Sequence, residues 1–99
     1  MLTAYSIKVR GVVQGVGFRP YVFRLAREND LKGWVLNAEE GVEIHLEGED
    51  KPLQTFLEEM KSHPPQAAEI SEMCVEKGKP AGFTEFTVRK SIREHRPTV

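Results

Sequence analysis

The sequence predicts an α+β fold, a two-layer βαββαβ sandwich in which an antiparallel sheet carries two helices on one face. Three observations predict it. Apolar residues alternate with polar ones along 5–13 and again along 42–47, the period of a half-buried strand. Apolar residues recur at helical spacing around 22–29 and 53–60. Strand, helix, strand, strand, helix, strand is the order in which these patterns occur, with no repeat and no low-complexity segment between them.

The first strand is read from Tyr5, Ile7, Val9, Gly11 and Val13, with Ser6, Lys8 and Arg10 on the other face. A turn rich in glycine follows, Gln14-Gly-Val-Gly-Phe-Arg19. A loop from a strand end into a helix start presents unpaired backbone N–H groups, and glycines let that backbone curl so that several point at one spot. The helix N-terminus adds partial positive charge, and Arg19 adds a full charge with a bidentate fork. Such a concavity suits phosphate or another small tetrahedral anion. It is not a nucleotide loop of either common kind. No Gly-Lys-Ser/Thr follows the turn, and the third glycine of the dinucleotide fingerprint is missing.

Pro20 is expected near the first helical position, where its missing N–H removes no bond. Val22, Leu25, Ala26 and Asn29 mark the buried face of that helix, and Asn29-Asp30 its end. Gly33-Trp-Val-Leu-Asn37 is bulky and β-favouring, a second strand. Asn37 ends it beside a turn, Ala38 to Gly41. Asn favours turns by itself; a role in chemistry requires it to lie beside the glycine-rich loop. Val42, Ile44 and Leu46 give the third strand, hairpin-paired with the second. Asp50 is expected as the N-cap of a second helix with Leu53, Phe56, Leu57 and Met60 inward, stopped by Pro64-Pro65. Ile70 to Glu76 reads as a less regular strand, Gly78 to Gly82 as a turn, and Phe83 to Val88 as the closing strand.

The chain has 99 residues, 39% of them hydrophobic and 29% charged, ordinary values for one small globular domain. It shows no apolar run of membrane-spanning length and no signal-peptide core, and its single cysteine, Cys74, allows no internal disulfide, so a cytoplasmic setting is expected. The net charge is −1, with the excess of basic residues gathered in 89–99 and an acidic body before it. An acidic body disfavours nucleic-acid binding, and the sheet lacks the aromatic motif of an RNA-binding surface. His45, His63 and His95 have no metal-site spacing, and no nucleophile motif accompanies them. Trp34 is expected to pack beneath the hairpin, Cys74 to be a core or strand residue, and Glu39 and Glu40 to be solvated.

Val9-Arg-Gly-Val-Val-Gln-Gly-Val-Gly-Phe-Arg19 followed by Gly33-Trp-Val-Leu-Asn37 resembles acylphosphatase, over roughly residues 5–91 including the closing Phe83 to Arg89. The resemblance implies the ferredoxin-like form of the βαββαβ fold and implies Arg19 and Asn37 as the catalytic pair. Gln14, Gly15, Val16, Gly17, Phe18 and Arg19 are the expected phosphate-binding set. Pro20 after the Arg, the short hairpin Glu40-Gly-Val-Glu43, Pro64-Pro65 and the ending Arg96-Pro-Thr-Val99 look like one branch, the N-terminal domain of the hydrogenase maturation carbamoyltransferases. That branch implies carbamoyl phosphate as substrate and downstream domains in the same chain, with residues 1–91 the domain and 92–99 a linker. It implies no cofactor or metal in this domain and a monomer when isolated. The alternatives are a free-standing acylphosphatase and a non-catalytic module that binds carbamoyl phosphate or assembles domains.

Overall fold

A computed structural model describes residues 1–90. Its elements are β1 (Leu2–Val12), α1 (Phe18–Glu28), β2 (Lys32–Ala38), β3 (Gly41–Glu49), α2 (Asp50–Ser62), β4 (Glu69–Gly78) and β5 (Phe86–Val88). They form one sheet of order β4-β1-β3-β2-β5. β3 runs antiparallel between β1 and β2, and β1 antiparallel between β3 and β4. Each βαβ unit therefore has parallel, non-adjacent strands with a strand of the other unit inserted between them, the expected ferredoxin-like arrangement. The two pieces at the C-terminal side separate. β4 takes one edge, and β5 crosses to the other, where it pairs parallel with β2. That last pair makes the sheet mixed.

One face of the sheet is the core. Ile7, Val9, Val35, Ile44 and Leu46 from the strands join Val22 and Ala26 of α1 and Leu53, Phe56 and Met60 of α2 in one buried cluster. The alternation in β1 and β3 and the helical spacing in α1 and α2 are what place these side chains together. Phe56 is wholly enclosed, and burial of a side chain that size stabilises by about 1.5–3 kcal/mol. Tyr21 ties the helices to each other, its hydroxyl donating to the carbonyl of His63 at 2.8 Å.

Several boundaries differ from the sequence reading, each for a physical reason. Pro20 is the third residue of α1, and the first backbone bond of the helix is Tyr21 N to Gly17 O at 3.2 Å. The first turn has no internal acceptor for any of its N–H groups, so the third position suits proline as the first does. Asp50 opens α2 as its first residue, with Glu49 the N-cap, because β3 runs straight into the helix. The Asp50 carboxylate accepts from the Thr3 hydroxyl at 2.7 Å. β4 is longer than read and exposed along most of its length, as an edge strand with only Ile70 and Met73 partly covered. Cys74 is exposed on it. Phe83 belongs to the loop before β5 and not to the strand. The expected linker, 92–99, lies outside the described residues.

Candidate active site

β1, β2 and β5 run in the same direction, so their C-terminal ends meet at one end of the sheet. The N-terminus of α1 and the β2–β3 turn lie there too. The loop leaving β1 bends sharply. Gly15 has φ 75° and Gly17 φ 77° with ψ 19°, the left-handed region. A Cβ at either would meet nothing within 4 Å, so it is the backbone conformation, not space, that calls for glycine. Gly17 caps α1 without a side-chain bond. Among the described residues, no acceptor pairs with the N–H groups of Gly15, Val16, Gly17, Phe18 or Arg19. Left-handed residues beside a helix start turn such groups toward a common point, the geometry of an anion nest.

The members of the expected set do different things. Val16 packs partly against the core, and the Phe18 ring is buried in it, so each would offer only its main chain to a ligand. Gln14 turns its side chain away. Its Nε2 donates to the carbonyls of Ala38 at 2.6 Å and Gly41 at 2.8 Å, the two ends of the β2–β3 turn. Its contribution to an anion would also come from the main chain. Arg19 is the second residue of α1, half-buried, and its Nη1 donates to the carbonyl of Arg89 at 3.1 Å. The rest of the guanidinium has no partner among the described residues.

Asn37 is the penultimate residue of β2, paired in register with Val42 of β3. Its strand neighbour two back, Val35, is fully buried in the core, as is Val42. The two-residue alternation therefore directs Asn37 to the helix side of the sheet, at the end where the loop lies. Gln14 fastens the loop to the turn that begins just after Asn37. Asn37 and the loop thus lie at the same end of the sheet, and Asn37 falls on its helix side.

Sequence reasoning missed a cluster on the opposite face. Glu47 is the one buried charged residue among those described, 4% exposed. Its Oε2 accepts from Ala81 N at 2.6 Å and lies 2.6 Å from His45 Nε2; its Oε1 accepts from Gly82 N at 3.1 Å and Phe83 N at 3.2 Å. Burial raises its pKa, but the bond to His45 and the three backbone N–H groups outweigh that and hold it below the ordinary glutamate value. The carboxylate thus fixes the loop ahead of β5. His45 stacks on Trp34 at 5.8 Å and meets Phe83 at 5.3 Å. Trp34 is a stacking partner as well as a packing residue, and Glu47 was legible only as an outward position of an alternating strand.

Among the described residues no group of three or more His, Cys, Asp or Glu is arranged to hold a metal ion, and no helix is long and apolar enough to cross a membrane. Glu40 is exposed and pairs with Arg10 at 2.9 Å.

A ferredoxin-like sandwich whose glycine-rich first loop runs into α1 ahead of an arginine defines a class, and the chain belongs to it: it is a member of the acylphosphatase family, whose model matches residues 5–88. Two kinds of relative share the fold. An acylphosphatase of Thermotoga maritima is 42% identical over 89 residues, which are 89% of this chain and 98% of that protein. A probable carbamoyltransferase HypF of Methanocaldococcus jannaschii is 44% identical over 80 residues, 81% of this chain but only 10% of that protein. The crystal structure of a full-length HypF superposes with a TM-score of 0.89 at 37% identity, covering 93% of this chain and 12% of that one. The chain thus spans about a tenth of its carbamoyltransferase relatives and nearly the whole of its acylphosphatase relatives.

Proposed function

We propose that this chain hydrolyses a carboxylic–phosphoric anhydride, with carbamoyl phosphate as substrate, acting as the first domain of a carbamoyltransferase in hydrogenase maturation. The observation that supports it most is the run of N–H groups from Gly15 to Arg19 at the start of α1, which have no acceptor among the described residues, in the same stretch as Arg19 itself. The nest holds the phosphoryl oxygens of the substrate, and the guanidinium of Arg19 takes the charge that spreads over them in the transition state. The Asn37 amide orients a water for in-line attack on phosphorus. The bond from phosphorus to the acyl oxygen breaks, and the acyl group leaves as a carboxylate, here carbamate. A carboxylate leaves without a general acid, and a phosphoryl oxygen takes the proton of the water. Gln14, Gly15, Val16, Gly17 and Phe18 contribute main-chain groups; Arg19 and Asn37 are the catalytic side chains.

A second reading, a free-standing acylphosphatase acting on acyl phosphates in general, is supported by the match over 98% of the Thermotoga maritima enzyme. One experiment tests both. Hydrolysis of carbamoyl phosphate and of benzoyl phosphate is measured side by side, with inorganic phosphate as competitor. A higher kcat/KM for carbamoyl phosphate supports the first reading, and the reverse order supports the second. Phosphate binding without turnover of either leaves a non-catalytic binding module. Absence of both turnover and phosphate binding would overturn the site itself.

A further inference from the structure

Arg89 follows β5 and makes contacts in three directions. Its N–H donates to the carbonyl of Val35 at 2.8 Å, extending the β2–β5 pairing by one bond. Its carbonyl accepts from Arg19 Nη1 at 3.1 Å. Its guanidinium lies 4.9 Å from the ring centre of Trp34 and 5.8 Å from that of Phe83, on the face of the sheet away from the helices. Both rings are themselves fixed. Trp34 stacks on His45, and the main chain of Phe83 is bonded to Glu47, which also holds His45.

We propose that Arg89 is a positioning residue for Arg19, and that the cluster behind the sheet aims the guanidinium at the nest. The proposal rests on reading Arg19 as the anion ligand. An arginine side chain loses much rotamer entropy when it is ordered. Resting one N–H on a fixed carbonyl orders Arg19 before a ligand arrives, and the planar fork carries that orientation to its free edge. The carbonyl is fixed only as well as Arg89 is. A three-residue edge strand frays easily, and the cation–π contacts with Trp34 and Phe83 anchor its last turn of chain. A displacement of about 1 Å at a positioned group can reduce turnover by 10²-fold. The substitution removes the anchor and leaves the carbonyl, so the loss is a fraction of the full effect of Arg19.

The test is Arg89→Ala, with Arg89→Lys as the conservative variant. Phosphate affinity, kcat/KM for benzoyl phosphate and ¹⁵N relaxation at Arg19 Nε are measured on folded protein. Arg89→Ala is expected to lower kcat/KM by about 10- to 100-fold, to weaken phosphate and to lower the order parameter at Arg19 Nε. Arg89→Lys, which keeps a cation over Trp34, is expected to recover most of the loss. In an Arg19→Ala background Arg89→Ala is expected to change phosphate affinity no further. Unchanged relaxation and turnover in Arg89→Ala, or effects of the two substitutions that simply multiply, would overturn the proposal. If Arg89→Ala does not fold, Trp34→Leu removes the same stacking from the other side and is read by the same measurements. Should the wild-type chain fail to bind phosphate, the functional reading falls by itself, and the Arg19 relaxation still decides whether the brace exists.

Discussion

Exchanging Glu47 for glutamine keeps the shape of the side chain and removes an acceptor. Each carboxylate oxygen now serves two partners, Oε2 His45 and Ala81 N, Oε1 Gly82 N and Phe83 N. An amide has one oxygen, so in either orientation its NH₂ faces at least one backbone donor. A hydrogen bond to a charged acceptor is worth about 1.5–3 kcal/mol, and the lost desolvation of the carboxylate offsets part of that. Glu47→Gln is therefore expected to destabilise by about 2–4 kcal/mol at neutral pH, a fall in Tm of roughly 10–20 °C for a domain this size. The pH profile gives a second handle. The folded-state pKa of Glu47 lies below its ordinary value. Its contribution is therefore complete above the unfolded value near 4.3 and is lost as pH falls through the folded one. Urea unfolding of both proteins between pH 7 and pH 3 should show the gap at neutral pH and its closure in acid. A variant within about 0.5 kcal/mol of wild type at pH 7, with a parallel pH profile, would refute the idea that this carboxylate organises the loop.

Arg19→Ala should reduce turnover by about 10³-fold or more with the fold intact, and Arg19→Lys should recover little, since lysine has no planar fork; circular dichroism and acyl phosphate hydrolysis check both. Asn37→Ala should lower kcat while leaving the inhibition constant of phosphate almost unchanged, because an orienter of water acts mainly in the transition state. Gly17→Ala should destabilise by about 1–2 kcal/mol, the penalty for a side chain in the left-handed region, and should weaken phosphate; calorimetric titration and melting curves read the two effects separately.

The strands and helices that bury a face were legible because burial imposes a period. Ile7, Val9, Ile44 and Leu46 announce which side of β1 and β3 is inside, and Val22, Leu53 and Phe56 do the same for the helices. β4 lacked that clarity because an edge strand buries little. β5 was overread at its start because Phe83 is as β-favouring in a loop as in a strand. The sharp turn into α1 was legible from Gly15 and Gly17, since the local chain builds it alone. What could not be read was anything requiring a distant segment. Glu47 looks like every other outward residue of β3 until the loop at 81–83 folds over it. Arg89 counted with the basic tail by charge, and only the crossing of β5 to the far edge sets it beside Arg19 and Trp34.

The bond between Arg19 and the carbonyl of Arg89 spans 70 positions, and this has a bearing on how the chain folds. The glycine-rich loop is made early in synthesis, yet the rest for its arginine arrives almost at the end of the described chain. Pairings of such separation form late, since loop closure must precede them. An anion that needs the completed arrangement binds the native state and not a chain still lacking β5. It then stabilises by RT ln(1 + [L]/Kd), about 2.7 kcal/mol at a hundredfold excess over Kd. Phosphate should therefore slow unfolding and leave the early folding steps untouched, so that the site doubles as a marker of the finished fold.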